Sequence, residues 1–298
     1  MKFVEAAGAR VSAIGLGTWQ FGSMEWGYGS RYASADAAEI VHRALDLGVN
    51  LIDTAEIYGQ GRSERIVGEA IKDRRDQVFL ATKLFPVGVP PQVASRARAS
   101  ARRLGVDRMD LYQMHWPSPL FPPRATMPRL KQLVDSGLIG HVGVSNYSLR
   151  QWQEAEDALG APVLSNQVLF SLVHRAPVKD LVPWAQKQGR IVIAYSPLGQ
   201  GLLSGKYQDA APSNFRRFRT NFRPAGRARA APLVSALREI ASRHGATPAQ
   251  VALAWLIRKP NVVAIPGASS VNQVEENVAA ADLDLTGDEA ARLDTLSS

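Results

Sequence analysis

Residues 51–83 contain the repeating unit that decides the fold, and they read LIDTAEIYGQGRSERIVGEAIKDRRDQVFLATK. Two short apolar runs, Leu51–Thr54 and Val78–Lys83, bracket this stretch, and Asp53 and Lys83 at their ends are 30 residues apart. Runs that are apolar at consecutive positions are typical of parallel strands covered on both faces. The spacing leaves room for a loop and a helix. The stretch therefore predicts a strand-loop-helix unit followed by the next strand.

The same kind of apolar run occurs eight times along the chain. The runs are Ile14–Thr18, Leu51–Thr54, Val78–Lys83, Met109–Trp116, Val142–Ser145, Leu164–Val168, Ile191–Ser196 and Val262–Pro266. Six of the seven steps between their ends span 22–35 residues, with helical apolar stripes between the runs. Eight such units predict an α/β fold of the (β/α)8 TIM-barrel type. We expect residues 1–298 to form this single barrel domain, with a β-hairpin over Phe3–Ile14 across its lower end.

The seventh step is longer, at 70 residues, and contains an arginine-rich stretch followed by helical patterns over Leu233–Arg243 and Pro248–Arg258. Thr247 and Gln250 have the spacing of a helix capping box. We therefore expect a long arginine-rich loop after the seventh strand, before these helices. Its arginines are Arg216, Arg217, Arg219, Arg223, Arg227 and Arg229, with phenylalanines interleaved and no acidic residue among them. Such a segment fits a solvated loop, a lid over a phosphate-bearing cofactor or a nucleic-acid-binding surface.

A doubly wound sheet is the alternative fold, and the glycine spacing disfavours it. That fold places G-x-G-x-x-G between its first strand and helix, where backbone amides approach a pyrophosphate. Neither Gly15-Leu16-Gly17 nor Gly199-Gln200-Gly201 is followed by a third glycine at the required position. Any nucleotide site must then be built in another way.

Composition excludes several classes of protein and site. The 298 residues include no cysteine, so disulfides, cysteine-ligated metals and thiol nucleophiles are excluded. No apolar stretch approaches the roughly 20 residues of a membrane-spanning helix. Lys2, Glu5 and Arg10 lie where a signal peptide needs an apolar segment, so we expect a cytoplasmic protein. The five histidines lack metal-ligand spacing, and we expect no metal, membrane, nucleic-acid or obligatory protein partner.

Polar side chains follow several of the apolar strands at the point where each strand ends. Asp53 ends the second predicted strand and Tyr58 follows in the next loop, whereas Lys83 and His115 end the third and fourth strands. The carboxyl ends of barrel strands meet at one face, where active sites lie. Each residue taken singly also has a non-catalytic interpretation. Asp53 could cap the following loop and Tyr58 could be a surface residue. Lys83 could extend to the rim of the barrel, and His115 could be a hydrogen-bonded core residue. Their convergence favours a catalytic site.

These four residue types can act together as a proton donor. A tyrosine hydroxyl has an ordinary pKa of about 10, which is too high for an efficient acid near neutrality. A neighbouring lysine ammonium lowers that pKa, and a carboxylate keeps the lysine charged in a partly dry pocket. Histidine can hydrogen-bond a substrate oxygen. The set predicts proton delivery to a developing alkoxide, with a hydride donor on the opposite side of the carbonyl.

With these motifs in place, the sequence resembles the aldo-keto reductases over essentially its whole length. Asp53–Glu64 is similar to the family signature around its catalytic aspartate and tyrosine. Further stretches match in order, namely Leu111–Pro117, Gly143–Tyr147, Ala194–Leu198 with Ser204–Tyr207, and Ile265–Ser269 with Gln273, Glu276 and Asn277. Within the family, the chain resembles the branch that contains pyridoxal reductases and channel β-subunits.

The resemblance implies NADPH bound across the barrel mouth and a catalytic tetrad of Asp53, Tyr58, Lys83 and His115. Tyr58 would be the general acid, Lys83 its pKa-lowering partner, Asp53 the partner of the lysine, and His115 the ligand of the substrate oxygen. The implied cofactor-binding residues are Thr18, Trp19, Ser145, Asn146, Gln167, Tyr195, Ser196, Pro197, Leu198, Gly199, Gly201, Lys206, Arg216, Ile265, Gly267, Ser269, Gln273, Glu276 and Asn277. By the same resemblance, Ser145, Asn146 and Gln167 would hold the nicotinamide carboxamide, Lys206 and Arg216 would contact the phosphates, and Gln273, Glu276 and Asn277 would meet the adenosine. The predicted substrate-pocket residues lie in or beside the first four strand-to-helix loops and are Trp19, Trp26, Tyr28, Phe85 and Trp116. The alternative for Trp19 and Trp116 is that they pack against the barrel rim.

The resemblance implies an NADPH-dependent oxidoreductase that reduces an aldehyde or ketone to an alcohol. The aromatic side chains favour aromatic or medium-chain aldehydes as substrates. Many relatives carry a lysine or arginine where this chain has Ser269 and Ser270, but we still expect NADPH to be preferred because the arginine-rich loop supplies positive charge. We expect this loop to close over the cofactor. The alternative function is an NADPH-binding regulatory or redox-sensing subunit with slow turnover.

Overall fold

The structure is a computed structural model and describes residues 1–24, 28, 34–86, 90–118, 120–207, 211–212 and 214–297. The chain begins with an antiparallel hairpin of β1 (Phe3–Ala6) and β2 (Ala9–Ser12). Its buried side chains, among them Val4 and Val11, share one apolar cluster with Leu51 and Ile191, which begin two of the barrel strands. The hairpin therefore covers the amino end of the barrel, as the sequence predicts.

Eight parallel strands follow and form the barrel. They are β3 (Leu16–Gly17), β4 (Leu51–Asp53), β5 (Phe79–Leu84), β6 (Met109–Met114), β7 (Ile139–Ser145), β8 (Ser165–Leu169), β9 (Ile191–Tyr195) and β10 (Val262–Ile265). Each strand pairs in parallel with its neighbour in the chain. The ring closes where Gly17 N donates to Pro266 O at 3.1 Å and Ala264 N donates to Ala13 O at 2.9 Å. The predicted (β/α)8 barrel is confirmed.

Helices surround the strands and bury their apolar stripes against them. They are α1 (Ser34–Asp46), α2 (Arg62–Ile71), α3 (Val93–Leu104), α4 (Pro123–Asp135), α5 (Leu149–Leu159), α6 (Leu181–Gln188), α7 (Pro224–His244), α8 (Pro248–Ile257), α9 (Val271–Ala279) and α10 (Gly287–Leu296). The capping box predicted at Thr247 and Gln250 begins α8. Gly105 and Gly160, both left-handed, end α3 and α5 where the apolar stripes end.

The segment after β9 differs in part from the prediction. Short 3-10 turns occupy Phe215–Phe218 and Thr220–Phe222, and α7 begins at Pro224 rather than near Leu233. Arg223 is extended and therefore places Pro224 at the first helical position, where a missing N–H costs nothing. As a result Arg227 and Arg229 belong to a helix, and the arginine-rich loop is shorter than the sequence predicts.

The described part of the chain holds no helix that is both long and apolar enough to cross a membrane. Over the same residues, no group of three or more histidine, aspartate and glutamate side chains is arranged to hold a metal ion.

Candidate active site

The four side chains predicted to be catalytic meet at the carboxyl-end face of the barrel. Asp53 ends β4, Lys83 lies in the neighbouring β5 and His115 directly follows β6, while Tyr58 lies in the loop after β4. Lys83 Nζ donates to Asp53 Oδ1 at 2.5 Å and to Tyr58 Oη at 3.3 Å. The rings of Tyr58 and His115 meet edge to face with centroids 5.7 Å apart. The structure thus joins the four groups in one cluster.

Lys83 and Asp53 form a buried ion pair, with side chains only 0% and 2% exposed. A third bond runs from Lys83 Nζ to Thr54 O at 2.8 Å. Burial by itself lowers the pKa of Lys83. The Asp53 carboxylate and the Tyr58 oxygen together raise it by more than burial lowers it, so the net pKa lies above its ordinary value. The lysine is therefore a fixed positive charge near neutral pH.

The loop after β4 brings Tyr58 to this charge. Gly59 and Gln60 follow with left-handed φ angles of 53° and 57°, and a Cβ at Gly59 would lie 2.8 Å from the carbonyl oxygen of Gly22. Burial raises the pKa of the Tyr58 hydroxyl above its ordinary value, whereas the charge of Lys83 lowers it by less. The lysine acts in the predicted direction, but the net shift is upward. The hydroxyl therefore keeps its proton at neutral pH.

His115 lies beside the tyrosine as a neutral imidazole. Burial, helped by the positive charge of Lys83, lowers the pKa of His115 to about 3. Its buried Nδ1 has no hydrogen-bond partner among the described residues, and Phe85 packs edge to face on the ring at a centroid distance of 5.9 Å. The imidazole can therefore offer a hydrogen bond to a ligand without bringing a second positive charge beside the lysine.

Two glutamines hold the other oxygen of Asp53 from across the barrel. Gln167 Nε2 donates to Asp53 Oδ2 at 2.8 Å, and Gln113 Nε2 donates to the same oxygen at 3.2 Å. Sequence reasoning placed Gln167 near the cofactor and missed Gln113. The available signal was a polar residue within the apolar run Met109–Trp116, but its partner is far away in the sequence.

Three buried hydroxyl groups support the backbone of Asp53. Thr18 Oγ1 donates to Asp53 O at 2.9 Å and contacts Ser63 Oγ at 2.9 Å, which in turn contacts Thr54 Oγ1 at 2.9 Å. All three side chains are fully buried. Thr18 was predicted to bind the cofactor, but in the structure its hydroxyl group is hydrogen-bonded within the protein. Ser63 was not singled out from the sequence.

Polar groups at the ends of β7, β8 and β9 form a second cluster next to the tetrad. Tyr195 Oη donates to Asn146 Oδ1 at 3.0 Å, and Asn146 Nδ2 donates to Ser145 Oγ at 3.0 Å and to His115 O at 3.2 Å. Ser145 Oγ donates to Gln167 O at 2.9 Å. The structure thus brings together the residues that the sequence assigns to a carboxamide. Their donors and acceptors are those that a primary amide can pair with.

The loop after β9 has a sharply turned backbone. Ser196 and Gln200 have φ angles of 49° and 59°, and Gly199 and Gly201 have φ angles of 57° and 99°, with Pro197 and Leu198 between them. Gly199 N and Gly201 N donate to Ser196 O and Leu198 O at 2.9 and 3.0 Å, and without side chains the two glycines allow a ligand to approach this backbone closely. Arg216 and Lys206, which were predicted to contact the phosphates, differ in their hydrogen bonding and exposure. Arg216 donates to Gln200 O and to Tyr207 Oη at 2.7 and 2.9 Å, whereas Lys206 is exposed.

The residues predicted to contact the adenosine lie together where β10 meets α9. Ser270 caps α9 by accepting from Gln273 N at 3.3 Å, and Ser269 Oγ donates to Gln273 Oε1 at 3.2 Å. Asn277 Nδ2 approaches Gly267 O at 3.5 Å. The other residues assigned to this end, Ile265 and Glu276, lie at the end of β10 and within α9.

Apolar side chains flank the tetrad at the barrel mouth. Trp19 is 37% exposed with its ring 6.4 Å from that of Tyr58, and Trp116, directly after His115, is 45% exposed. Ile57, next to the tyrosine, is 44% exposed and was missed from the sequence. The ring of Tyr28 lies under the guanidinium of Arg62, with the guanidinium carbon 5.8 Å from the ring centroid. Trp26, also predicted to line the pocket, is outside the described residues.

Known proteins resemble this chain in both sequence and structure. The profile of the aldo/keto reductase family matches residues 13–298. An uncharacterized oxidoreductase of Mycobacterium tuberculosis is 57% identical over 289 residues, covering 96% of this chain and 90% of that protein. A methylglyoxal reductase of Escherichia coli is 36% identical, covering 98% of this chain and 94% of that protein. The crystal structure of an aldo/keto reductase from Klebsiella pneumoniae, in complex with NADP and acetate, has a TM-score of 0.81 and 34% identity, covering 99% of this chain and 95% of that one.

The chain belongs to the aldo/keto reductase family, because the family profile covers nearly all of it and relatives match over most of their own length. It is an oxidoreductase enzyme of that family, and the resemblance drawn from its motifs is confirmed.

Proposed function

We propose that this protein reduces an aldehyde or ketone to an alcohol with NADPH, and that Tyr58 is the general acid. The observation that carries the proposal is the hydrogen bond between Lys83 Nζ and Tyr58 Oη beside a neutral His115. A protonated hydroxyl, a fixed positive charge and a neutral hydrogen-bond donor converge on one small volume, which is what a carbonyl oxygen needs as it gains charge.

The residues at the strand ends fit a nicotinamide cofactor. Ser145, Asn146 and Gln167 would hold its carboxamide, the left-handed loop around Gly199 and Gly201 would hold its pyrophosphate, and the start of α9 would meet its adenosine. NADPH, when bound, supplies a hydride to the carbonyl carbon. The Klebsiella relative was crystallised with NADP, which supports this choice of cofactor.

Each tetrad residue has one task in the proposed reaction. Tyr58 donates its proton to the substrate oxygen, and Lys83 stabilises the phenolate that remains. Asp53 keeps Lys83 charged and fixes the position of its ammonium group. His115 donates a hydrogen bond to the same substrate oxygen and so orients the carbonyl. The rings around the tetrad exclude water from it, which strengthens these charge interactions.

The apolar rim supports aromatic or medium-chain aldehydes as the substrate class. Trp19, Ile57 and Trp116 expose apolar surface around the tetrad, and Phe85 packs on His115. Apolar surface of this kind is best covered by an apolar substrate. The Escherichia coli relative is a methylglyoxal reductase, so small dicarbonyls belong in the same substrate panel.

The test is NADPH oxidation, followed by absorbance, with 4-nitrobenzaldehyde as substrate. We expect turnover by the wild type and a loss of roughly 100-fold or more in Tyr58→Phe, because general-acid catalysis is worth about that much. Tyr112→Phe is the matched control, since Tyr112 is fully buried on β6 and, as the neighbour of the inward-facing Gln113, directs its side chain toward the helices and not toward the tetrad. Equal activity of Tyr58→Phe and wild type would refute the assignment of the acid. Tight NADPH binding without turnover would favour the regulatory alternative.

A further inference from the structure

A polar layer crosses the inside of the barrel at the level of Lys83. Lys83, Gln113, Gly143 and Ser165 pair in register across β5, β6, β7 and β8. Residues in register on parallel strands point to the same side, and here that side is the barrel interior. Lys83, Gln113 and Ser165 are each 0% exposed. The interior of such barrels is usually filled by branched apolar side chains, so this layer needs its own explanation.

The amide of Gln113 has only one workable orientation. Its Nε2 donates to Asp53 Oδ2 at 3.2 Å, and the opposite orientation would turn the amide oxygen onto a carboxylate that can only accept. Gln113 Oε1 is therefore directed away from Asp53. That oxygen is buried and has no hydrogen-bond partner among the described residues, and the same is true of Ser165 Oγ.

Gly143 makes this arrangement possible. A Cβ built at Gly143 would lie 2.8 Å from Gln113 Cγ, 2.8 Å from Ser165 Oγ and 3.0 Å from Leu111 Cδ1. All three neighbours are packed inside the barrel, so none of them can simply swing aside. The missing side chain therefore leaves room on β7 for Gln113 Cγ and Ser165 Oγ, which both approach the same position at Gly143. Gly143 was noted in the sequence only as part of a family motif.

We propose that Gln113 is a positioning residue for the Asp53–Lys83 pair, and that one bound water molecule joins its amide oxygen to the Ser165 hydroxyl. Two buried polar atoms on either side of one glycine supply the partners that a structural water requires, and leaving both unpaired would cost free energy. The water fixes the amide of Gln113, this amide holds Asp53 Oδ2 together with Gln167, and Asp53 Oδ1 thereby stays directed at Lys83. This inference rests on the proposed function, because positioning has a kinetic effect only if Lys83 assists Tyr58.

The first arm of the test is kinetic and uses Gln113→Met, which keeps the shape of the side chain and removes the amide. We expect kcat for aldehyde reduction to fall roughly 10-fold while KM changes little, because a displaced catalytic group affects the chemical step. The charge of Lys83 lowers the pKa of Tyr58, so a less well placed lysine lets that pKa rise. The high-pH limb of kcat should therefore move to higher pH. Ser165→Ala should produce a smaller change in the same direction.

Asn261→Leu is the matched control. Asn261 is also a buried amide with one donated bond, from Nδ2 to Val182 O at 3.1 Å, and an oxygen without a partner among the described residues. It lies just before β10, at the amino end of the barrel, away from the tetrad. We expect Asn261→Leu to lower the melting temperature and leave the pH profile unchanged. A Gln113→Met enzyme with wild-type kcat and pH profile would overturn the inference, provided that Tyr58→Phe is inactive.

The second arm does not depend on activity. A crystal structure of the wild type that resolves ordered water should show one molecule within hydrogen-bond distance of Gln113 Oε1 and Ser165 Oγ. The Gln113→Met structure should show the Asp53 carboxylate turned and Lys83 Nζ displaced from Tyr58 Oη. No water between the two atoms, or an unmoved ion pair in Gln113→Met, would overturn the proposal. Absence of wild-type turnover would instead reject the proposed function. The two crystal structures would then decide by themselves whether Gln113 positions the Asp53–Lys83 pair.

Discussion

The ammonium group of Lys83 is fully buried, and its hydrogen-bond partners are the Asp53 carboxylate, the Thr54 carbonyl and the Tyr58 hydroxyl. Removing one member of a buried ion pair leaves the other charge without compensation, which typically costs about 3–5 kcal/mol. We therefore expect Asp53→Asn to lower the free energy of unfolding by about that much, measured by chemical denaturation. The double variant Asp53→Asn/Lys83→Met should lose clearly less than the sum of the two single variants. Additive losses would contradict the coupling.

For single residues, the sequence was most informative where the location of a side chain depends on its position along a strand. Asp53, Lys83 and His115 end strands, so the fold alone brings them together. Gln113 was missed because its hydrogen-bond partner Asp53 is 60 residues away in the sequence, and no local pattern encodes that contact. The net pKa of Tyr58 was also not predictable, because the burial that dominates it depends on neighbours far away in the sequence, such as Trp19 and His115.

Among the elements, α7 shows how one backbone contact can reverse the usual effect of a substitution. Replacing a helical glycine with alanine normally stabilises, yet a Cβ at Gly226 would lie 2.2 Å from Thr220 O in the preceding turn. We expect Gly226→Ala to destabilise by roughly 1–3 kcal/mol, since the backbone of that turn must shift. Gly287, at the start of α10, has nothing within 4 Å of its Cβ position, so Gly287→Ala should stabilise by up to about 1 kcal/mol. Thermal unfolding of both variants compares them directly, and a stabilised Gly226→Ala would show that the turn moves freely.

The strands were easier to predict than this helix, for a physical reason. Continuous apolar runs such as Ile191–Tyr195 are hydrophobic at every position because helices cover one face and the barrel interior the other. The first turns of α7 instead bury small residues, Gly226 and Ala230, with the half-buried Arg227 and the exposed Arg229 between them. Small residues give a weak hydrophobic signal, so the pattern became visible only from Leu233 onward.

The stability of the whole molecule in acid depends on how α10 is held against α7. Glu289 Oε1 lies 3.1 Å from Arg243 Nη2, Glu289 Oε2 lies 2.9 Å from His244 Nε2, and the same carboxylate accepts from Thr286 N at 3.0 Å. Burial alone raises the pKa of Glu289, but these donors and charges outweigh it and lower the pKa to about 2. A carboxyl group whose pKa is lowered by folding stabilises the protein above its unfolded pKa and loses that contribution as the pH falls toward the folded value.

The pH window of that loss therefore extends from about 4.5 down to about 2. Arg243 is 53% exposed, so solvent screens part of the interaction and we expect a contribution of roughly 1–3 kcal/mol. Because α10 packs on α7 and so on the barrel, the local loss should appear in the unfolding of the whole chain. Glu289→Gln should be less stable than the wild type at pH 7, and the difference should shrink between pH 4.5 and pH 2. Urea unfolding followed by circular dichroism at several pH values measures it, and a difference that stays constant down to pH 2 would show that the carboxylate charge contributes nothing.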